Sequence, residues 1–531
     1  MCIRDRVRPW WGISSYYGLE EGAGPPLGIA SIASILEKQG HFVSILDCLG
    51  MNLRVKEHIQ NMIGKENPDI VGVSISTFNR FQGLEIANIA KELGCIVVVG
   101  GVHVTFDFEK ALRNIKGIDY IVLGEGEETM QELVEAIDKG KPLDEIKGIA
   151  YKKEDEIMVN PPRPFIEDLA TLPQPAYHLL PMDNYPYHLI MASRGCPYHC
   201  IFCVSPQFWK GKVRFRPYQL VVDEIEYLII HYGNKYFTFR DDLIFLNKQW
   251  CLNFFQEIIK RDLKIKWSVM ARTDIHDEEI FRLMKESGCQ VVRFGVETGS
   301  ERIMRIIHKN ITKEDVKEAV RLAKNFDLKV GVYFMLGHPT ETIKDLEETY
   351  KFCCELDTEY YIFGPTSIYP GTALFDLAIK EEVLPNNFNW FDRENIKRYK
   401  RGLNTLEGVP TYQTGRFTRK FLEETAKRFY VRRLLGLFSR ADSLKELRQI
   451  LSYRRKNSDE KIKIADIWVI FKETKRELRT KESFRDKIRF LINIFSAYFL
   501  KTSFILRLKG TGTRLARQTV PDWLARRCKM S

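Results

Sequence analysis

Cysteine is scarce in this sequence, 11 in 531 residues, and most thiols stand alone. The odd count and the scattered Cys48, Cys95, Cys251 and Cys289 argue against a disulfide framework. A reducing cytoplasm is the expected compartment. No apolar run follows the charges at the N-terminus, so no secretory signal is expected. In the C-terminal part, FLINIFSAYFL (490–500) is far too short to cross a bilayer. Fixed-period repeats and long low-complexity tracts are absent, which removes solenoids and wholly disordered chains. What remains is ordinary for a globular protein: 44% hydrophobic and 28% charged residues. The length suits about three or four domains.

Positive charge is also missing from most of the chain. Residues 401–531 hold 32 Lys plus Arg against 13 Asp plus Glu, a net of +19. The whole chain is +11, which leaves −8 on residues 1–400. The basic excess belongs to the C-terminal part alone.

The first 160 residues alternate as α/β domains do. HFVSILD (41–47), DIVGVSIS (69–76), CIVVVGG (95–101) and DYIVLGEG (119–126) are short Val- and Ile-rich runs, the pattern of strands in a buried parallel sheet. LGIASIASILEKQG and FQGLEIANIAKELG lie between them and end on Gly, which suits a helix C-cap. A doubly wound, Rossmann-like sheet is expected. MCIRDRVRPWWGI is a poor opening strand, so the first strand is expected to be truncated or replaced. Residues 161–184 are dense in proline and read as an extended linker. From 185 to about 400 a second alternation supplies six strands: HLIMAS, YFTFRDD, KIKWSVMAR, VVRFGVE, KVGVYFML and YYIFGPTSIYP. Helical stretches such as LVVDEIEYLIIHYG separate them, which points to a partial (β/α)6 barrel of the TIM type. Residues 401–531 read as basic helices.

One local concentration breaks the scarcity of thiols. MASRGCPYHCIFC (191–203) holds Cys196, Cys200 and Cys203 within eight residues. It follows a predicted strand and opens on Gly195, at the strand end where barrel enzymes keep their chemistry. Three readings compete: structural thiols by chance, a zinc site, and an iron–sulfur cluster. Zinc sites usually pair two C-x₂₋₄-C or C/H units far apart, and no second pair is present. Four-iron clusters normally take four thiolates, so three would leave one iron open.

C-x₃-C-x₂-C on such a loop resembles the radical S-adenosylmethionine (SAM) superfamily. The resemblance implies that Cys196, Cys200 and Cys203 hold a [4Fe–4S] cluster whose open iron binds SAM, and that an external one-electron donor of the flavodoxin or ferredoxin type reduces it. It further implies a SAM site with Phe202 near adenine, Asp241 and Asp242 bordering the amino group, Arg272 on the carboxylate and Glu297 on the ribose. GHPTET (337–342) and YPGT (369–372) resemble the last two strand-end loops.

An α/β domain ahead of such a barrel resembles the cobalamin-binding subgroup, that of the anaerobic magnesium-protoporphyrin cyclases and the B12-dependent radical SAM C-methyltransferases. The resemblance implies that Asp47, Ser74, Ser76, Gly100 and Gly101 line a cobalamin site, with GEGEET (124–129) at a helix N-terminus suited to an anion. One departure stands out. Where methionine-synthase-type domains have Asp-x-His-x-x-Gly, this chain has Asp47-Cys48-Leu49-Gly50-Met51. No histidine ligand to cobalt is therefore expected, and His103 reads as structural. Expected chemistry is C-methylation of a small or lipophilic molecule. The alternatives are radical cyclisation or oxidation and, from another class, a non-catalytic metal-binding or electron-transfer scaffold. The basic tail admits a solvated helical cap or a peripheral contact with an anionic membrane surface. Nucleic acid is disfavoured, because the aromatics are not interleaved with the charges as a stacking platform requires.

Overall fold

The computed structural model describes residues 24–51, 56–415 and 417–440. Among these, one compact body extends from Gly24 to Ala426. Its first half is built from α1 (Leu27–Lys38), α2 (Lys56–Glu66), β1 (Ile70–Ser74), α3 (Arg80–Glu92), β2 (Ile96–Gly100), α4 (Val102–Asn114), β3 (Tyr120–Val122), α5 (Glu127–Lys139), β4 (Ile149–Lys153) and β5 (Glu156–Val159). Strands β1, β2 and β3 pair in parallel in that order, with Ile70 opposite Ile96 and Val98 opposite Tyr120. The hairpin β4–β5 extends the sheet antiparallel to β3, an addition the residue pattern does not announce.

Residues 41–47 correct an expectation. They are extended but form no ladder among the described residues. The alternation is that of a strand, with Val43 and Ile45 buried and Phe42 80% exposed. A pattern of side chains sets which face is buried, but only a neighbouring backbone makes a strand. The expected irregular first strand falls in residues 1–23, outside the described residues.

The second half is the barrel. It comprises β6 (His188–Ile190), β7 (Ser193–Arg194), α6 (Ser205–Trp209), β8 (Arg214–Phe215), α7 (Tyr218–Tyr232), β9 (Tyr236–Phe239), α8 (Lys248–Lys260), β10 (Lys266–Ala271), α9 (Glu278–Glu286), β11 (Cys289–Glu297), α10 (Glu301–Ile306), α11 (Lys313–Asn325), β12 (Lys329–Leu336), α12 (Ile343–Leu356) and β13 (Tyr360–Pro365). The order β6-β9-β10-β11-β12-β13 is parallel throughout, and every strand corresponds to one of the six predicted runs. Parallel neighbours require a crossover, and helices supply it. Two of them begin with full capping boxes, Thr312 with Asp315 and Thr342 with Asp345.

α13 (Ala373–Lys380) and α14 (Glu394–Arg398) follow, then α15 (Arg419–Arg440). The chain beyond 400 stays on the body before α15: the amide of Tyr412 donates to Thr366 O at 2.8 Å, and Pro410 O accepts from Ile368 N at 2.9 Å. The basic helices expected after Arg440 lie outside the described residues. No helix of the described residues is long and apolar enough to cross a membrane.

The two halves share one hydrophobic core. It joins Val71, Val97 and Leu112 of the first sheet's layers to Ile368, Leu374, Phe388, Trp390 and Tyr412 of the barrel's C-terminal wrap. The proline-rich stretch, expected to be extended, instead carries three short 3₁₀ turns, Leu169–Thr171, Tyr177–Leu179 and Met182–Asn184, and is tied down: Ala176 N donates to Ala30 O at 2.9 Å, and Tyr185 Oη, just after it, donates to Asp47 at 2.6 Å. The C-terminal strand ends of the sheet and of the barrel are thus held within a single packed unit.

Candidate functional site

The cysteine loop leaves β7 through Gly195. Its φ is +104°, and a Cβ there would lie 1.9 Å from Lys212 O. Only glycine fits both the conformation and the space. The loop is then stapled at its middle: Ile201 N donates to Ile307 O at 3.1 Å, and Ile201 O accepts from Leu374 N at 2.8 Å. Gly195→Ala protein is accordingly expected to fold with a displaced loop and lose most of its iron after anaerobic reconstitution, measured by colorimetric iron assay.

Cys200 is buried, and Cys196 and Cys203 are partly so. Burial raises all three thiols, Cys203 to about 11. At Cys200 the neighbouring Lys309 and Arg272 pull the other way. Thiols in this state ionise when a metal takes the proton's place. Among the described residues no three His, Cys, Asp or Glu side chains are grouped to hold one metal ion. A four-iron cluster asks for something else, one thiolate on each of three irons, and the donor set fits it.

The other barrel residues named from the sequence gather at the same strand ends. Asp241 is buried after β9, where its Oδ1 accepts from Ala192 N at 2.9 Å and from Ser193 Oγ at 2.7 Å. It therefore anchors the segment entering the cysteine loop; its other oxygen, Oδ2, has no protein partner. Burial lifts its carboxyl to about 7. Asp242 is exposed, accepts from Ser205 Oγ at 2.6 Å and acts electrostatically on Cys196 and Cys203. Arg272 donates to Lys309 O at 2.8 Å and to Asp274 Oδ2 at 3.1 Å. Its guanidinium also lies 3.5 Å from the ring centroid of Tyr198, inside the cysteine loop. Glu297 ends β11 at a bulge with φ +70° and accepts from Lys309 Nζ at 3.0 Å. Gly295 makes room for that pair, since a Cβ would come within 2.5 Å of Glu297 Oε1. Phe202 packs against the core shared by the two halves. Tyr198, Asp274 and Lys309 were not foreseen, because a lone residue in a strand-end loop carries no periodic signal.

GHPTET folds around its own glutamate. Glu341 Oε2 accepts from Gly337 N at 2.5 Å and from His338 N at 3.2 Å, and burial pushes the carboxyl up to about 8. The folded chain therefore keeps a proton that the unfolded chain releases near its ordinary 4.5. This contribution to stability is whole below that value and is lost as pH rises toward 8, at up to about 1.4 kcal/mol per unit. Glu341→Gln should remove this decline: its melting temperature relative to wild type is expected to rise between pH 5 and pH 8 in parallel thermal scans.

In the first half, Asp47 lies before α2, and Ser74, Ser76, Gly100 and Gly101 lie at the ends of β1 and β2 or in the loops just after them. Asn79 organises the first of these loops: its Oδ1 accepts from Ser76 N at 2.7 Å and Ser76 Oγ at 3.1 Å, and its Nδ2 donates to Ser74 O at 3.1 Å. Gly101 has φ +108°, and a Cβ would be 2.6 Å from Ile75 O, whereas one on Gly100 meets nothing closer than 3.7 Å. Asp47 is buried, its carboxylate taken by Tyr185 Oη and Leu49 N. His103 is fully buried against Thr77, Trp390 and Phe391. His103 is therefore part of the packing between the sheet and Trp390 and Phe391. GEGEET uses its acids differently from the anion site expected: Glu125 and Glu127 pair with Arg194, and Glu125 also with Arg214.

Comparisons with known proteins agree with this geometry. The radical SAM superfamily model matches residues 190–353 and the B12 binding domain model residues 20–134. An uncharacterised methyltransferase of Pyrococcus horikoshii is 39% identical over 69% of this chain and 81% of its own length. The anaerobic magnesium-protoporphyrin IX monomethyl ester cyclase of Rubrivivax gelatinosus is 32% identical over 68% of each. Among solved structures, the radical SAM methyltransferase TsrM from Kitasatospora setae, with cobalamin and [4Fe–4S] cluster bound, superposes with a TM-score of 0.62 at 21% identity, over 72% of this chain and 78% of that one. A B12-binding sheet and a three-cysteine barrel in one packed body, with relatives of these identities, make the chain a member of the B12-binding radical SAM family, which includes methyltransferases and cyclases.

Proposed function

We propose that this chain is a cobalamin-dependent radical SAM methyltransferase that alkylates an unactivated carbon of a small, lipophilic molecule. A cluster held by the three thiolates would supply the electron that cleaves SAM, and a cobalamin bound at the B12-binding sheet would supply the methyl group. The chain's own residues bind, orient and exclude water. Cys196, Cys200 and Cys203 hold the cluster. Glu297, with Lys309, offers a carboxylate to a ribose, and Arg272 a fixed guanidinium beside Cys200. Asp242 offers a carboxylate to the amino group of SAM, and Asp241 fixes the entrance to the loop. Ser74, Ser76, Gly100 and Gly101 present hydroxyls and open backbone to the corrin's tail.

The observation that carries this reading is the shared core, which holds both sets of strand ends in fixed relation, as radical transfer over a few ångströms demands. The lipophilic substrate class rests on an aromatic rim. Phe78, after β1, is 43% exposed and meets Tyr369 edge-on at 6.1 Å, and Phe106 meets Phe208 of α6 at 6.2 Å. A second reading, radical cyclisation, is favoured by the 32% identical cyclase. Anaerobic reconstitution with SAM, hydroxocobalamin and dithionite separates the two. 5′-Deoxyadenosine together with S-adenosylhomocysteine is the expected result; deoxyadenosine alone would favour cyclisation, and neither product would refute both.

A further inference from the structure

Arg194 stands one residue before Gly195 and two before Cys196. It belongs to β7, which pairs with β8 over only two residues, Ser193 with Phe215 and Arg194 with Arg214. So short a ladder cannot hold a loop by itself. Its support comes from the turn between β3 and α5. Glu125 Oε1 accepts from Arg194 Nη1 at 2.5 Å, and its Oε2 from Arg214 Nη1 at 2.8 Å, so a single carboxylate spans both arginines of the ladder. Glu127 Oε1 accepts from Arg194 Nη2 at 2.5 Å and from Ser31 Oγ at 3.2 Å. All four charged side chains are buried or nearly so. A guanidinium held by a separate carboxylate on each Nη is fixed in direction as well as distance.

The same turn reaches the other way. Gly124 N donates to Thr105 Oγ1 at 3.2 Å, and Thr105 Oγ1 is also 3.0 Å from Gly101 O. Hydrogen bonds joined by the backbone step from Gly124 to Glu125 thus link the glycine loop after β2, through the β3–α5 turn, to Arg194, the last residue before the cysteine loop. Burying four charges where apolar side chains would pack at no loss is poorly explained by stability alone.

We propose that Glu125 and Glu127 are positioning residues: acting through Arg194, they set the place of Cys196, and with it the cluster, relative to the B12-binding sheet. The proposal rests on the cofactor reading above. Neither glutamate touches the cluster or SAM.

The test uses the full-length protein, reconstituted anaerobically, at a temperature well below each variant's own melting point. Glu125→Gln and Glu127→Gln are expected to retain iron while the SAM-bound, dithionite-reduced cluster gives a broadened or shifted EPR spectrum. The maximal rate of deoxyadenosine formation should fall about 10- to 100-fold with KM for SAM little changed, the size of effect that about 1 Å of misplacement produces. Arg194→Lys, which keeps charge but loses the two-carboxylate fork, should fall between. Wild-type EPR and rates in the glutamine variants would overturn the proposal. Should those variants fail to fold, Glu127→Asp and Arg194→Lys decide, and wild-type behaviour there overturns it equally. Were the wild-type protein to form no deoxyadenosine, the functional reading would fail, while the EPR comparison without SAM would still decide the positioning role.

Discussion

Reconstituted Cys200→Ala protein should hold no four-iron cluster and form 5′-deoxyadenosine only at the reagent background. Cys200 is buried, at 8% exposure, and its neighbour Ile201 is bonded to two separate elements. The loop cannot swing another group into its place. Lys309 and Arg272 beside it oppose the effect of burial on the thiol, and each keeps its own carboxylate, Glu297 and Asp274, when the sulfur is removed. The fold itself should tolerate the change, because removing one small sulfur costs only about 1 kcal/mol. Cys289→Ala is the matched control: that thiol is fully buried at the start of β11, at the opposite end of the strand from Glu297, and should keep full iron. Visible absorption, iron content and deoxyadenosine by mass spectrometry read the difference. A Cys200→Ala protein that still splits SAM would remove the basis for the open-iron reading.

Arg80→Met should be the most destabilising single change outside the site, by about 3–5 kcal/mol. Arg80 is fully buried and carries no carboxylate within salt-bridge distance among the described residues. Instead it donates to three carbonyls: Thr77 O at 2.6 Å, Trp390 O at 2.8 Å and Gly408 O at 2.5 Å. Burial depresses its guanidinium to about 9, yet it remains charged at neutral pH. Two of those carbonyls belong to the barrel's C-terminal wrap, so the side chain ties the start of α3 to it. Methionine would fill the volume and leave three buried acceptors unpaired. Urea unfolding followed by tryptophan fluorescence should show the midpoint fall, Trp390 lying 5.6 Å from the guanidinium. A midpoint equal to wild type would mean that water replaces all three bonds.

Much of the architecture was legible in the residues. All six barrel strands follow from apolar runs, because burial of a parallel strand on both faces leaves a continuous local pattern. The cysteine triplet was legible for the same reason: its spacing is local. Residues 41–47 show the limit. Their alternation is correct, but pairing depends on another segment of chain. The hairpin β4–β5 was missed because IAYKK and EIMV mix polar and apolar positions at an exposed edge.

By itself, then, the sequence determined the element types, their order, the three thiols and the absence of a histidine in the cobalt-ligand position, each a property of neighbours along the chain. Only the tertiary structure decided what those groups do. Asp241 anchors a loop 48 residues away, Glu125 grips an arginine 69 residues away, and Arg80 reaches a carbonyl 328 residues away. Such partners leave no periodic trace, because the energy of a buried polar contact depends on who is adjacent in space, and the chain chooses that only when its core closes.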